Sequence, residues 1–317
     1  MRVLITGGCG NLGRYTADEL AAHGHQPVLF DRKSPQEVPL PFATEHPFIR
    51  GELTSGEDVR RAVEEAAAEA IVHLGAIPHA TDHPATVARA REQGGGLPED
   101  ETFRVNLLGT YYVLDAARRA GVRRIAAASS FFVLGLGFRI SQRRWDPAYL
   151  PIDEAHPNTP EDSYSLSKLL NEEMLAAYSR AWGLRTIALR LLGVSYPHRE
   201  RDAQPERFGQ LAPPGPATGV GNFTAWMYLD GRDGAQAFRL AIEKDDLPQH
   251  DVFFVATDSR LSEPAREAIA RVFPHLADAA SRMAPHDLPI SIEKARRVLG
   301  YEPRHSWRTT SAAPGRA

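Results

Sequence analysis

The 317-residue chain reads as an α/β protein, a doubly wound parallel sheet with a smaller C-terminal part. Three observations predict this. Short apolar runs alternate with stretches of helical period from the first residues to Arg190. Those runs are apolar on both sides, as suits strands covered on both faces. The first of them opens into a glycine-rich loop that passes directly into a helical pattern, a strand–loop–helix unit of parallel sheets.

Taken in order, Val3-Leu4-Ile5 is the first strand. Thr6-Gly7-Gly8-Cys9-Gly10-Asn11-Leu12-Gly13 breaks it, and a helix starts at Asn11 with Leu12, Tyr15, Thr16, Leu20 and Ala21 at spacings of three and four. Strands follow at residues 27–31 and 48–51, an Ala/Glu-rich helix at 56–69 and a fourth strand at 70–75. A long helix at 102–120 precedes a strand at 124–129, and a helix at 163–182 precedes a strand at 186–190. Three polar or Pro/Gly-rich stretches, 78–98, 135–160 and 198–222, interrupt the rhythm and are expected as long loops at the ligand-binding edge of the sheet. Beyond them come a helix at 232–243, a strand at 252–255 and helices at 263–272 and 292–299. The expected division is a dinucleotide-binding domain over 1–193, to which 232–258 return, and a substrate-binding part formed by 194–231 and 259–317. Residues 309–317 are small and polar and are expected to fray.

The bulk properties exclude several classes. A net charge of −3 leaves no basic footprint for nucleic acid. No apolar run reaches the roughly 18 residues of a membrane span. The first residues read as a folded strand rather than a leader. A single cysteine, Cys9, forbids an internal disulfide and reads as loop filler, and no Cys/His spacing suggests a metal site. The expectation is a soluble cytoplasmic protein without metal, membrane or nucleic-acid partners.

The glycine loop carries the first chemistry. A helix N-terminus after a strand offers free N–H groups and a positive dipole end to a phosphate. Gly7 permits the tight turn, Gly10 the approach of a pyrophosphate and Gly13 the close packing of helix on sheet. Asp31 ends the second strand, where a carboxylate can accept both hydroxyls of an adenosine ribose, with Arg32 and Lys33 next to it. Together these predict NAD, with NADP disfavoured by the Asp31 charge. The second chemistry is Tyr164 and Lys168, four apart on one helix face, so that the ammonium is expected to lower the phenol's pKa and fit it for general acid–base work. Ser130 ends the strand before the Arg-rich loop, where its hydroxyl can hold a substrate oxygen beside the tyrosine. In that loop Arg139, Arg143 and Arg144 offer planar forks for a carboxylate or phosphate, and Trp145 a flat face for a sugar ring.

With these residues in view, the sequence resembles the extended short-chain dehydrogenase/reductase superfamily, in its NAD-dependent epimerase/dehydratase group, over nearly the whole chain. The fold implied is of Rossmann type. The glycine loop is similar to the family's TGGxGxxG, which brings Asn11 and Leu12 to the cofactor with the three glycines. Gly51-Glu52-Leu53-Thr54 resembles GDLT, whose acidic residue reaches the adenine, here Glu52 followed by Leu53. His73-Leu74-Gly75-Ala76 is similar to the segment under the cofactor phosphates, which implicates Leu74, Gly75 and Ala76. Asn106 lies in a VNLLGT stretch whose asparagine props the active-site helix. Residues 129–135 resemble SSxxVYG, placing the catalytic hydroxyl at Ser130, and Tyr164-Ser165-Leu166-Ser167-Lys168 is the YxxxK. Leu191 follows on the next strand as a cofactor contact, and residues 294–303 resemble the closing KAxxxLGYxP. The resemblance also implies a homodimer paired through the helices at 102–120 and 163–182.

Two departures bear on the substrate. Nucleotide-sugar dehydratases carry Asp and Glu after the catalytic hydroxyl; here stand Phe131 and Phe132, which cannot move those protons. Nucleotide-sugar epimerases carry an asparagine that helps hold the sugar diphosphate; here stands Gly193. The main reading is therefore hydride transfer between NAD and a secondary alcohol of a sugar-like small molecule without a nucleotide handle, as in sugar-acid dehydrogenases. An epimerase of nucleotide sugars with tightly held NAD is the alternative, and a non-catalytic NAD(P)-sensing protein a further one.

Overall fold

The computed structural model describes residues 1–93, 95–137, 139–141, 143–199, 226–285 and 287–310. The expected loop from residue 200 to 222, Gly94 in the first loop and the tail beyond residue 310 lie outside them.

Seven strands form one parallel sheet in the order β3-β2-β1-β4-β5-β6-β9, where β1 is Arg2–Thr6, β2 Gln26–Asp31, β3 Phe48–Arg50, β4 Ala70–His73, β5 Arg124–Ser130, β6 Arg185–Leu191 and β9 His250–Val255. Strand β1 shows why both faces are covered. Val3 and Ile5 enter the core beneath α1 (Asn11–Ala22) and α7 (Gly231–Glu243), whereas Leu4 enters the core on the other side with residues of α2 (Gly56–Glu65) and α5 (Gly109–Ala120). All three are fully buried. The order of the chain reverses between β1 and β4, and ligands bind open α/β sheets at such a point, outside the carboxyl ends of the strands. Thr6, Phe30 and His73 lie side by side at that edge.

A second, small sheet joins β7 (Val194–Ser195), β8 (Met227–Asp230) and β10 (Asp258–Ser259) beside the main one. The 231–255 segment, with α7 packed on α1 and β9 beside β6, belongs to the main sheet. Helices α8 (Ala265–Val272) and α9 (Ala277–Ser281) close a separate apolar cluster around Ile269, Phe273 and Met283.

Besides the small second sheet and α9, which the sequence reading did not contain, and the expected helix at 292–299, whose residues Ala295–Leu299 form a π turn, two elements near the site differ from the sequence expectation. The 78–98 stretch contains a helix, α3 (Pro84–Glu92), which the polar composition and the adjacent glycines concealed; proline at its first position is compatible with a helix start. The long helix is not uniform: α4 (Glu101–Phe103) runs through a π turn, Arg104–Leu108, into α5, and the π turn carries Asn106. Among the described residues no helix is long and apolar enough to cross a membrane.

Candidate active site

The loop between β1 and α1 is shaped by its glycines. Gly7 sits at φ +68°, and a Cβ there would lie 2.6 Å from the backbone N of Gly75. A Cβ on Gly13 would lie 2.5 Å from the carbonyl oxygens of Gly7 and Gly8. The backbone of the first turn of α1 therefore lies directly on the loop. Gly10 caps α1 with no side chain, and the first turn holds no acidic residue, so its positive end is left to the loop. A cleft of about 390 Å³ opens here, lined by Gly7, Gly10, Asp31, Arg32, Glu52, Leu53, Leu74, Gly75 and Ala76 among others. The donor set and the backbone cradle fit a dinucleotide. Asp31 accepts from the backbone N–H of Cys9 at 3.3 Å and of Lys33 at 3.4 Å; burial raises its pKa against the lowering effect of these bonds. Cys9 is buried, and desolvation, with Asp31 nearby, pushes its thiol up to about 12. It is a packing residue.

Asn106 is buried behind Ile77 and Val105 of the cleft lining. It accepts from Ile77 N at 2.8 Å and donates to Ser167 Oγ at 2.9 Å, tying the loop after β4 to α6 (Ser163–Trp182). His73 extends the same network. Its Nδ1 meets Thr6 Oγ1 at 2.6 Å and its Nε2 meets Thr110 Oγ1 at 3.0 Å, and burial holds the ring neutral by drawing its pKa down to about 3.

Helix α6 carries Tyr164 and Lys168. Asp162 caps it, accepting from Ser165 N at 2.9 Å, and Asp82 accepts from Ser163 N at 3.1 Å. Two carboxylates thus fix the turn that holds the tyrosine. Asp-Ser before a helical pattern is a capping signal that could have found Asp162; no local signal could have found Asp82, 81 residues away. Ser130, at the end of β5, accepts from Phe132 N at 3.2 Å and lies near enough to the Tyr164 phenol to favour its ionised form, and the Phe132 ring stands edge-on to Tyr164 at 6.1 Å. The expected lowering of the phenol's pKa is absent. Burial pushes Tyr164 up to about 12, against the lowering influence of the nearby Ser130 hydroxyl. Lys168 does not offset this, because its Nζ donates to the Ala128 carbonyl at 2.9 Å and lies 5.8 Å from the phenol ring's centre. Burial draws Lys168 down to about 8, opposed by the carboxylate of Glu172 one turn on. Glu172 itself forms a buried fork with Arg190, at 2.9 and 2.8 Å. Its place four residues after Lys168 made it visible in the sequence by spacing.

The Arg-rich loop departs from its expected role. Arg139 is bound to Glu161 and donates to the carbonyls of Gly135 at 2.9 Å and Arg143 at 2.7 Å. Arg144 pairs with Asp146 at 2.8 Å and lies over the Phe273 ring. These two forks fasten the loop to the protein. Arg143 is exposed. Trp145 is buried and donates to the Leu134 carbonyl at 2.7 Å, so its ring belongs to the core. Phe131 is also buried, stacked at a tilt on Phe132. Leu191 lies beside Ser130 in the register of β5 and β6. Gly193 has φ +54°, its carbonyl accepts from Arg260 Nη2 at 2.8 Å, and a Cβ would stand 2.6 Å from the Met227 carbonyl oxygen. The departure from asparagine is thus built into the backbone path.

A seven-stranded parallel sheet whose glycine loop, strand-end serine and YxxxK helix carry these motifs is the architecture of the extended short-chain dehydrogenase/reductases. The chain belongs to the NAD dependent epimerase/dehydratase family, whose model matches residues 3–256. It is 26% identical to a UDP-glucose 4-epimerase of Corynebacterium glutamicum, over all of this chain and 98% of that protein. It is 29% identical to a uronate dehydrogenase of Pseudomonas syringae pv. tomato, over 62% of this chain and 60% of that one. In fold it is similar to a short-chain dehydrogenase/reductase superfamily protein of Agrobacterium tumefaciens solved with bound NAD, with a TM-score of 0.65, 24% identity and coverage of 97% of this chain and 94% of the other.

Proposed function

We propose that this chain binds NAD in the glycine-loop cleft and transfers hydride at a secondary alcohol of a sugar or sugar-like substrate that has no nucleotide handle. The observation that carries the reading is the convergence of three groups: the strand-end Ser130 beside the buried Tyr164 phenol, and Lys168 one turn further along the same helix with its Nζ 5.8 Å from the phenol ring's centre. When bound, the nicotinamide supplies the two-electron acceptor. Tyr164 takes or gives the proton of the reacting hydroxyl at Oη, and Ser130 Oγ orients that oxygen. Lys168 holds the cofactor ribose and supplies positive charge behind the phenol. Asp31 accepts from the adenosine ribose and disfavours NADP, Glu52 and Leu53 flank the adenine, and Leu74, Gly75 and Ala76 lie under the phosphates. Residues 194–231 and 259–317 shape the substrate side.

Gly193 supports a substrate without a diphosphate, and the uronate dehydrogenase likeness agrees with it. The second reading, a nucleotide-sugar epimerase, is favoured by the end-to-end match with the C. glutamicum enzyme. A panel of sugars, sugar acids and nucleotide sugars, scored at the reduced-nicotinamide absorbance band, separates them. Free UDP should compete poorly with the substrate; tight UDP binding selects the second reading. Tyr164→Phe should lower turnover by ~10²–10⁴ while NAD still binds. Undiminished turnover in that variant overturns the assignment of roles. The enzyme is further proposed to act as a homodimer, and the large apolar side chains exposed on α5, α6 and the π turn support it.

A further inference from the structure

Past the carboxyl end of β6, Tyr196-Pro197-His198 crosses back to the first turn of α1. Three polar contacts join them. The backbone N–H of His198 donates to the Tyr15 hydroxyl at 3.2 Å, that hydroxyl meets His198 Nδ1 at 3.0 Å, and His198 Nε2 meets Asn11 Oδ1 at 3.1 Å. The Tyr15 and Tyr196 rings stack with 12° between their planes, and Gly231 leaves the space the pair occupies, because a Cβ there would come within 2.8 Å of Tyr196. With the phenol hydrogen on Nδ1, the neutral imidazole carries its proton on Nε2 and donates it to Asn11. The Asn11 acceptor is then taken, and what its amide has left to offer is the pair of Nδ2–H donors.

Those donors stand at the start of a helix whose cap, Gly10, has no side chain. Beside the backbone N–H groups, the rest of the turn offers no second amide side chain. Leu12 is apolar and buried, Gly13 has no side chain, and Arg14 is turned to the Leu40 carbonyl at 2.6 Å and the Phe42 ring at 4.1 Å. We propose that His198, fixed by Tyr15, is a positioning residue that sets the Asn11 amide as a donor toward the pyrophosphate of the bound dinucleotide. This rests on the cofactor reading given above, and it adds a residue from the substrate-side segment to the cofactor site.

The test uses three ligands that share one end: NAD, ADP-ribose and adenosine, with affinities measured by calorimetry or by competition against NAD. His198→Ala and Asn11→Ala should each weaken NAD and ADP-ribose about tenfold, the loss expected of one hydrogen bond to a charged group. Adenosine, which lacks the pyrophosphate, should bind as in the wild type. The double variant should be no weaker than either single one, because the two residues act through one contact. His198→Gln keeps an N–H donor and should recover part of the loss. Tyr15→Phe keeps the ring stack and loses the hydroxyl, so it should reproduce the His198→Ala pattern. Equal weakening of adenosine, or additive losses in the double variant, would reduce the latch to general scaffolding and overturn the proposal. Wild-type protein that binds none of the three ligands overturns the cofactor reading instead.

Discussion

At the residue scale, the unexpected feature is the proton affinity of the Tyr164–Lys168 pair. Sequence spacing puts an ammonium near a phenol and so argues for a low phenol pKa. The structure buries both groups, and desolvation moves them the other way: Tyr164 up to about 12 and Lys168 down to about 8. The sign of the pH dependence follows. Near neutrality Tyr164 is a phenol, ready to give a proton but rarely ready to take one. Reduction of a carbonyl should therefore proceed on the form already present, while oxidation of an alcohol should quicken as pH rises. With its Nζ held by the Ala128 carbonyl, Lys168 does not set the phenol's pKa, so Lys168→Met should weaken NAD through the lost ribose contact and leave the pH of the rise in oxidation where it is. Stopped-flow or steady-state rates in both directions across pH check this. An oxidation rate that is flat in pH, beside a reduction rate that climbs, would show that Tyr164 is not the proton acceptor. The spacing rule located these residues without their environment, because four residues on a helix fix a shared face and say nothing of how deeply that face is covered.

At the scale of elements, the β1–loop–α1 unit is the tightest piece of the site. A methyl group on Gly13 would meet two carbonyl oxygens at 2.5 Å, both of them backbone and unable to swing aside. Gly13→Ala should therefore push α1 off the loop, lower the melting temperature and abolish NAD binding; wild-type affinity for NAD in this variant would show that the loop does not hold the phosphates. This unit was legible in the sequence, since a glycine between a strand and a helix start has a single steric meaning. The α6 helix was legible to its ends, residues 163–182; its cap, Asp162, is what the structure adds. The 78–98 stretch was not. Its helix, α3, is short, and its anchor to the site is Asp82 on the Ser163 amide and hydroxyl, a contact between segments that no local pattern announces. The same holds for the Arg-rich loop: its composition suggested ligand binding, yet Glu161, Asp146 and main-chain carbonyls had first claim on Arg139 and Arg144.

At the scale of the molecule, apolar strands alternating with helices announced the seven-stranded sheet, but neither pattern nor spacing reports what covers its outer helices. Most large apolar side chains lie in the two layers against the sheet. A group of exceptions clusters on one side. Leu108 in the π turn, Tyr111 in α5, and Leu170 and Trp182 in α6 are 38–46% exposed. Helices α5 and α6 pack against each other, Trp182 lies against Tyr178 with ring centres 4.4 Å apart, and Arg118 of α5 sits over the Trp182 ring. These side chains therefore extend across two neighbouring helices rather than standing singly, and such a patch marks an interaction surface. A second copy of the chain is the occupant that the family resemblance implies, related by a two-fold axis so that each patch meets its own image. Tyr111→Glu and Leu170→Glu place charge at positions already in water in the single chain, so each should change the stability of the fold by no more than about 0.5 kcal/mol. In a dimer the same charges would be trapped in an apolar contact without a partner and should drive the species toward monomer. Sedimentation velocity on the wild type and both variants decides it. A dimer that becomes monomeric in both variants, with melting of the monomer little changed, supports the pairing; a wild-type monomer, or variants that remain dimeric, shows that this face is not where two copies meet.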